Sequence, residues 1–356
     1  MSVPAGLIRR RPYVVGSKVV RRGGVLAVVV LAAFFPQFTQ NQYYLGVAFQ
    51  AEMLMCLALG LNIVVGYAGL LDLGFAAFFA IGAYTTGILS TKEHWSILAS
   101  IAPGVVIAVI CALIIGFPTL RLRSDYLAVV TLGFGEIIQT IAINLNQTGG
   151  PTGIYAIPAF SIGSIVVNSN AGYYYVFLIL VIIFALFSTR LRYSRLGRAW
   201  LCIREDEDAA KAMGINISHY KLYAYMFGAV LGSITGSLYA PALTAISPAS
   251  FGFSESLLIV MAVAIGGLGS VWGVMFGAAV VEIFPEVFRQ FAQARLLIFG
   301  ILLVFLMVMR PRGLFPERAF QGLGARLRSR FFKSIDPAAL IVSDGVKTSG
   351  PRAEEP

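Results

Sequence analysis

Long apolar runs separated by short polar stretches dominate the chain, and they predict ten membrane crossings: 25–38, 43–65, 73–91, 95–117, 126–145, 172–189, 221–243, 254–268, 271–288 and 294–309. A span needs about 20 apolar residues. The first run is short for this, and only a Gly-rich turn divides the eighth from the ninth. Spans 2–5 and 7–10 run in opposite senses about span 6, which permits an inverted repeat of four and four.

The basic residues orient this pattern. With the N-terminus in the cytosol and strict alternation, 24 of the 27 Lys and Arg fall inside, leaving only Lys92, Arg289 and Arg295 outside. That agrees with the excess of Lys and Arg on cytosolic segments. It places both termini in the cytosol and accounts for the net charge of +10 without a nucleic-acid partner. Mean hydropathy is +0.81 and 12% of residues are charged, which excludes a chain of soluble domains. Arg9–Arg11, Lys18, Arg21 and Arg22 precede the first apolar run as in a signal peptide, but Pro36-Gln-Phe follows where a small-x-small cleavage site belongs, so an uncleaved first helix is expected. The domains read as a basic N-terminus (1–24), a transmembrane domain (25–316) with a cytosolic loop at 190–221, and a basic tail (317–356). Residues 322–333 of the tail suit a helix on anionic lipid.

Polar residues within the apolar runs need compensation. A carboxylate at the centre of a span, such as Glu136, costs roughly 2.5–3.5 kcal/mol on insertion scales. Gly133, Glu136, Gln139, Thr140 and Asn144 share one helical face, with Phe134, Ile137, Ile138, Ile141 and Leu145 covering the other. That face either glues helices together or borders a translocation path. Glu52 and Glu282 are further acids within spans. Two Gly-rich stretches, Gly66-Tyr-Ala-Gly69 continuing to Gly74 and Gly266-Gly267-Leu-Gly-Ser-Val-Trp-Gly273, suit close helix packing or broken helices lining a path. The outside loop 146–171 has no Lys or Arg and contains the turn-forming Thr148–Gly153.

The cytosolic loop holds the densest charge pattern. Four acids, Glu205, Asp206, Glu207 and Asp208, open a short helix rich in alanine (Ala209, Ala210, Ala212), and Gly214 closes it as a left-handed C-cap. A small, capped, charged helix outside the bilayer suits docking into a soluble partner. The chain has no Gly-x-x-x-x-Gly-Lys-Ser/Thr phosphate loop, and no dinucleotide, zinc-protease or serine-hydrolase motif. Cys56, Cys111 and Cys202 lack ligand spacing. The expectation is a transport subunit without catalytic residues, metal or a cofactor of its own.

Asp208-Ala-Ala-x-x-x-Gly214 resembles the EAA motif of bacterial ABC importer permeases, with Asp in place of Glu. The run Arg204–Ile215 is similar to the branched-chain amino acid permease family of LivM type. Further blocks fit that family in order: Gly66–Thr85, Leu120–Tyr126 with Thr131–Glu136, Thr148–Ile154, Ala264–Gly277 and Arg310–Phe315. The resemblance implies an all-α permease bundle in the bacterial inner membrane. It implies pairing with a LivH-like permease, two ATPase subunits that bind ATP, and a periplasmic substrate-binding protein. It also implies that Glu205–Met213 is the coupling helix and that the cargo is a branched-chain or related hydrophobic amino acid, although relatives carry urea, amides or aromatic acids. The contrasting expectation is a secondary transporter driven by an ion gradient through Glu136 or Glu52.

Overall fold

The computed structural model describes residues 32–37, 41–119, 124–162, 165–287 and 300. The basic N-terminus, the tenth expected span apart from residue 300, the Leu120–Arg123 and Arg310–Phe315 blocks, and the tail lie outside the described residues. Residues 32–37 are helical within the first expected span, and the Tyr174 and Tyr175 hydroxyls donate to the carbonyls of Ala32 and Ala33.

The remaining expected spans are helices. They are α1 (Gln42–Leu61), α2 (Ala76–Lys92), α3 (Ile97–Thr119), α4 (Ser124–Asn144), α5 (Asn170–Arg192), α8 (Ile217–Leu243), α9 (Phe253–Gly266) and α10 (Val271–Val287). Two shorter helices, α6 (Arg195–Glu205) and α7 (Glu207–Ala212), fill the cytosolic loop of the sequence analysis. Six described segments are long and apolar enough to cross a membrane. The chain is therefore a multi-pass, all-α membrane protein. Side-chain caps set several starts: Asn41 accepts from the Tyr43 amide before α1, and Ser169 accepts from the Gly172 amide before α5.

Two helices are preceded by irregular backbone, and α2 begins three residues later than its apolar run. α1 ends in a π-helical turn, Asn62–Tyr67, and the chain stays irregular to Phe75 before α2 starts. After α8 an irregular stretch and a 3-10 turn (Pro248–Phe251) precede α9. The two helix starts meet: the Ala76 amide, at the head of α2, donates to Ser256 Oγ in the first turn of α9 at 3.0 Å. The irregular backbone is held by distant side chains. The Leu73 amide donates to Thr131 Oγ1 at 3.1 Å, and Gln139 Nε2 donates to the Pro248 carbonyl at 3.1 Å. Non-helical backbone is tolerated at membrane depth only where protein satisfies it in this way.

Helix packing is reciprocal. α1 lies on α10 as α8 lies on α3; α2 lies on α3 as α9 lies on α10; and α2 meets α8 as α9 meets α1. This is the pattern of an inverted repeat in which α1–α3 correspond to α8–α10. The closest crossing is between α2 and α8, where Gly82 and Gly236 each face the other helix's backbone. Aromatic rings fill the interior: Phe79 and Phe251 lie 5.0 Å apart, as do Phe79 and Tyr239, and as do Phe49 and Phe177.

The loops sort to two ends. At one, Lys92 Nζ donates to the Gln147 carbonyl and Ile154 pairs with Ile246 as an antiparallel bridge, next to a small hairpin of β1 (Phe160–Ile162) and β2 (Ile165–Val167). At the other, Arg192 and Arg204 reach the turns around Gly66 and Gly269. This is the partition that the basic residues demand.

Candidate functional site

The α6–α7 elbow is built from side-chain caps. Ser194 accepts from the Gly197 amide at the head of α6. Asp206 adopts an extended backbone (φ −158°, ψ 113°) and ends that helix, and its Oδ1 accepts from the amides of Asp208 at 2.9 Å and Ala209 at 3.0 Å to start α7. The single helix expected over Glu205–Met213 is thus divided. Glu205 closes α6, Asp206 caps, and only Glu207 and Asp208 occupy the first turn of α7. The physical cause is the short Asp206 carboxylate, which pairs with amides two and three residues on more readily than it sits inside a helix. Gly214 has φ +80°, its amide donates to the Lys211 carbonyl, and the Ile215 amide donates to Ala210, closing the far end.

The elbow is anchored on its inner side and bare on its outer side. Ala210, Ile203 and Ile217 form a small apolar cluster. Trp200 is fully buried and donates from Nε1 to the Tyr220 carbonyl at 2.6 Å. Lys221, with a side chain only 3% exposed, pairs with Glu207 at 2.5 Å. Asp208, Ala209, Lys211, Ala212 and Met213 face outward, Met213 being 82% exposed. Trp200 and Lys221 were not singled out from the sequence; the signal was a tryptophan and a lysine beside otherwise polar and apolar runs respectively. Replacing Asp206 by alanine is expected to cost α7 about 1 kcal/mol and speed amide exchange at Asp208 and Ala209 about fivefold. Hydrogen-exchange mass spectrometry of this segment reads that directly.

Above the elbow, the Gly-rich turns interlock. Arg204 Nη1 donates to the Gly66 carbonyl, and its aliphatic stem lies against Gly69, which has φ +73°. Arg192 Nη1 donates to the Gly269 carbonyl at 3.0 Å, and its guanidinium sits 5.9 Å from the Tyr67 ring centre. Asn62 Oδ1 accepts from the Gly269 amide at 2.9 Å. A Cβ at Gly66 would collide with the Asn62 side chain and lie 2.7 Å from the Gly269 amide nitrogen. Gly66 therefore serves close approach. Gly267 (φ +111°) and Gly269 (φ +83°) turn the chain from α9 to α10, with Gly266 at the end of α9. Arg204 thus reaches the bundle while its neighbours in the acidic cluster face outward.

The α4 stripe lies elsewhere. Glu136, Thr140 and Asn144 are exposed on the outside of the bundle this chain forms, Gly133 is half-buried, and Gln139 turns to the Pro248 carbonyl. Ile137, Ile141 and Leu145 are exposed too, so they flank the stripe rather than cover its opposite side. The reason is that α4 packs through a narrow face of Leu127, Ala128, Thr131, Phe134 and Ala142. By contrast α3 exposes only apolar side chains among its outward residues from Leu98 to Phe117, as a lipid-facing helix does. Glu52 is buried in α1, with Oε2 lacking a hydrogen-bond partner among the described residues, and Glu282 is half-buried.

Comparison with known proteins gives this arrangement its context. Residues 43–309 match the family described as branched-chain amino acid transport system / permease component. The high-affinity branched-chain amino acid transport system permease protein LivM of Escherichia coli K12 is 35% identical over 329 residues, covering 86% of this chain and 77% of that protein. A probable LivM of Methanocaldococcus jannaschii is 27% identical over 319 residues, covering 73% and 90%. The LivH permease of Escherichia coli K12 is 22% identical over 284 residues, covering 72% and 89%. No solved structure matches significantly. By the extent of the family match and the identity to LivM, the chain belongs to the permease components of branched-chain amino acid transport systems.

Proposed function

We propose that this chain is one of two permease subunits of an ATP-driven importer that carries branched-chain or related hydrophobic amino acids from periplasm to cytosol across the bacterial inner membrane. In this reading both termini face the cytosol, ATP is bound by two separate ATPase subunits, and a periplasmic protein delivers the substrate. The observation that carries it is the elbow: α7 is short, capped at both ends, bare on its outer face and tied by the Glu207–Lys221 pair and Ala210 to the base of the long α8, where Trp200 also ties α6. Such an element passes a push from a soluble partner to the bundle without yielding. Glu205–Asp208, Ala209, Ala210 and Gly214 form or support that contact.

The similarity to LivH supports pairing with a second, related permease. The α4 stripe suits the seam between the two. The bundle's own interior is packed with aromatic rings, while Glu136, Thr140 and Asn144, beside Gly133, present polar groups where lipid would penalise them. Substrate then passes between subunits along α4, with the Gly66–Gly69 and Gly266–Gly267 turns at its inner end. Glu136→Gln is expected to cut uptake severalfold while leaving assembly intact; unchanged uptake kinetics would remove Glu136 from the path.

The test of the whole reading is co-purification from native membrane and leucine uptake by proteoliposomes containing what co-purifies. Uptake requiring ATP at the elbow's side and a binding protein at the other is the expected result. Uptake by this chain alone, collapsing with an ion gradient, would favour the secondary-transporter mechanism and make Glu52 and Glu136 its centre.

A further inference from the structure

We infer that Arg192 and Arg204 are the positioning residues through which the α6–α7 elbow moves the inner ends of α1, α9 and α10. This inference rests on the proposed contact between α7 and an ATPase. The two arginines flank the start of the elbow, Arg192 at the end of α5 and Arg204 at the end of α6. Each leaves its own helix to grip the backbone of a different turn. Arg204 takes the Gly66 carbonyl at the end of the π-helical turn of α1, and Arg192 takes the Gly269 carbonyl between α9 and α10. The two turns are themselves joined, because Asn62 Oδ1 holds the Gly269 amide, and Arg204 Nη1 stands 3.1 Å from where a Gly269 Cβ would be. The α1 turn, the α9–α10 turn and the elbow thus meet at one set of hydrogen bonds, and two of the three grips originate on the elbow's side.

The chemistry suits a link. Guanidinium groups bonded to carbonyl oxygens form charge-assisted hydrogen bonds, stronger and more directional than neutral ones. The gripped residues belong to a π-helical turn and a glycine turn, which rearrange without unwinding an α-helix. Tyr67 steadies the arrangement from within. Its hydroxyl pairs with Ser188 Oγ at 2.9 Å, one turn before Arg192 on α5, and its ring lies beside the Arg192 guanidinium. A displacement of α6 together with the adjoining end of α5 therefore pulls on the α1 turn through Arg204 and on the α9–α10 turn through Arg192.

The experiment uses the complete complex with its ATPase and binding-protein partners, in a background free of cysteine apart from a spin label introduced at Met213 or at Leu268. Both positions are exposed, at 82% and 46%. In the otherwise unchanged complex, ATP is expected to alter the mobility of both labels. In Arg192→Gln, ATP hydrolysis continues, the label at 213 still responds, the label at 268 does not, and the ATP consumed per substrate imported rises about tenfold. Equal responses at 268 with and without Arg192, or uptake and hydrolysis falling in proportion, would overturn the inference. If Arg192→Gln does not assemble, Arg192→Lys, which keeps the charge and loses the planar fork, is held to the same criteria. A label at 213 that ignores the ATPase in the otherwise unchanged complex marks failure of the coupling assignment rather than of the arginine link.

Discussion

Replacing Gly82 by alanine is expected to remove most of the folded protein from the membrane. A single methyl at this position would run into the Ser233 carbonyl group, with the carbonyl carbon at 2.7 Å and Cα at 2.8 Å. The obstacle is backbone in the middle of α8, so no side-chain rotation relieves it. On the facing helix, a Cβ at Gly236 would lie 2.9 Å from the Ala83 amide nitrogen and collide with the Phe79 carbonyl. The crossing is therefore tight from both sides, and separating the helices would loosen the contacts around Phe78, Phe79 and Tyr225 together. Overpacking of this kind costs about 3 kcal/mol, a large part of ordinary folding stability. Gly133→Ala is the control, because a Cβ there meets nothing within 4 Å. It is expected to leave stability unchanged or raise it by up to about 1 kcal/mol through helix propensity. Solubilised yield and thermal aggregation midpoints of the two variants, measured side by side, decide the matter. Equal behaviour would mean that the α2–α8 crossing is looser than described.

The second large effect concerns the ion pair beneath the elbow. Glu207→Ala leaves the Lys221 ammonium, 3% exposed in its side chain, without its carboxylate. Breaking a fully buried pair in this way costs about 3–5 kcal/mol. Glu207 is 48% exposed, so water screens part of the attraction, and about 2 kcal/mol is expected here. The decisive comparison is the double variant Glu207→Ala with Lys221→Met, which removes the orphaned charge and keeps the apolar stem. It is expected to recover most of the lost thermal stability but not the proposed transmission of force from α7. A double variant as unstable as the single one would show that Lys221 is held by something other than Glu207.

Much of the architecture was legible in the sequence because apolar run length records which residues must leave water. Runs 95–117 and 172–189 became α3 and α5 within a few residues. The basic residues then sorted the loops to the two ends that the structure displays. Depth and direction were less legible. Run 73–91 is as apolar at its start as at its end, yet α2 begins only at Ala76 after irregular backbone, and Ser256 in the first turn of α9 meets its head. The hydrogen bonds that permit this come from residues far away in the chain, which a local pattern does not contain. The α4 stripe was visible as a periodicity, but a period tells which residues share a face and not what that face meets. In the elbow, Gly214 sits in the left-handed region, whereas the break at Asp206 was hidden inside a run of four acids. Lys221 and Arg192 looked like ordinary charges at the mouths of spans, and only the fold reveals what they grip.

The short α9 has a consequence for how the membrane is sealed. Its 14 residues extend about 21 Å, against a hydrocarbon thickness of about 30 Å. The shortfall is made up by the segment between α8 and α9, whose carbonyl at Pro248 is held by Gln139 and whose Ile246 pairs with Ile154. Along that line the insulating layer is partly loop. A helix that opens must break a ladder of bonds cooperatively, whereas a loop held by a few separate bonds can exchange them one at a time. The part of the dielectric barrier that is thinned here is thus also one that can be rebuilt cheaply, one bond at a time.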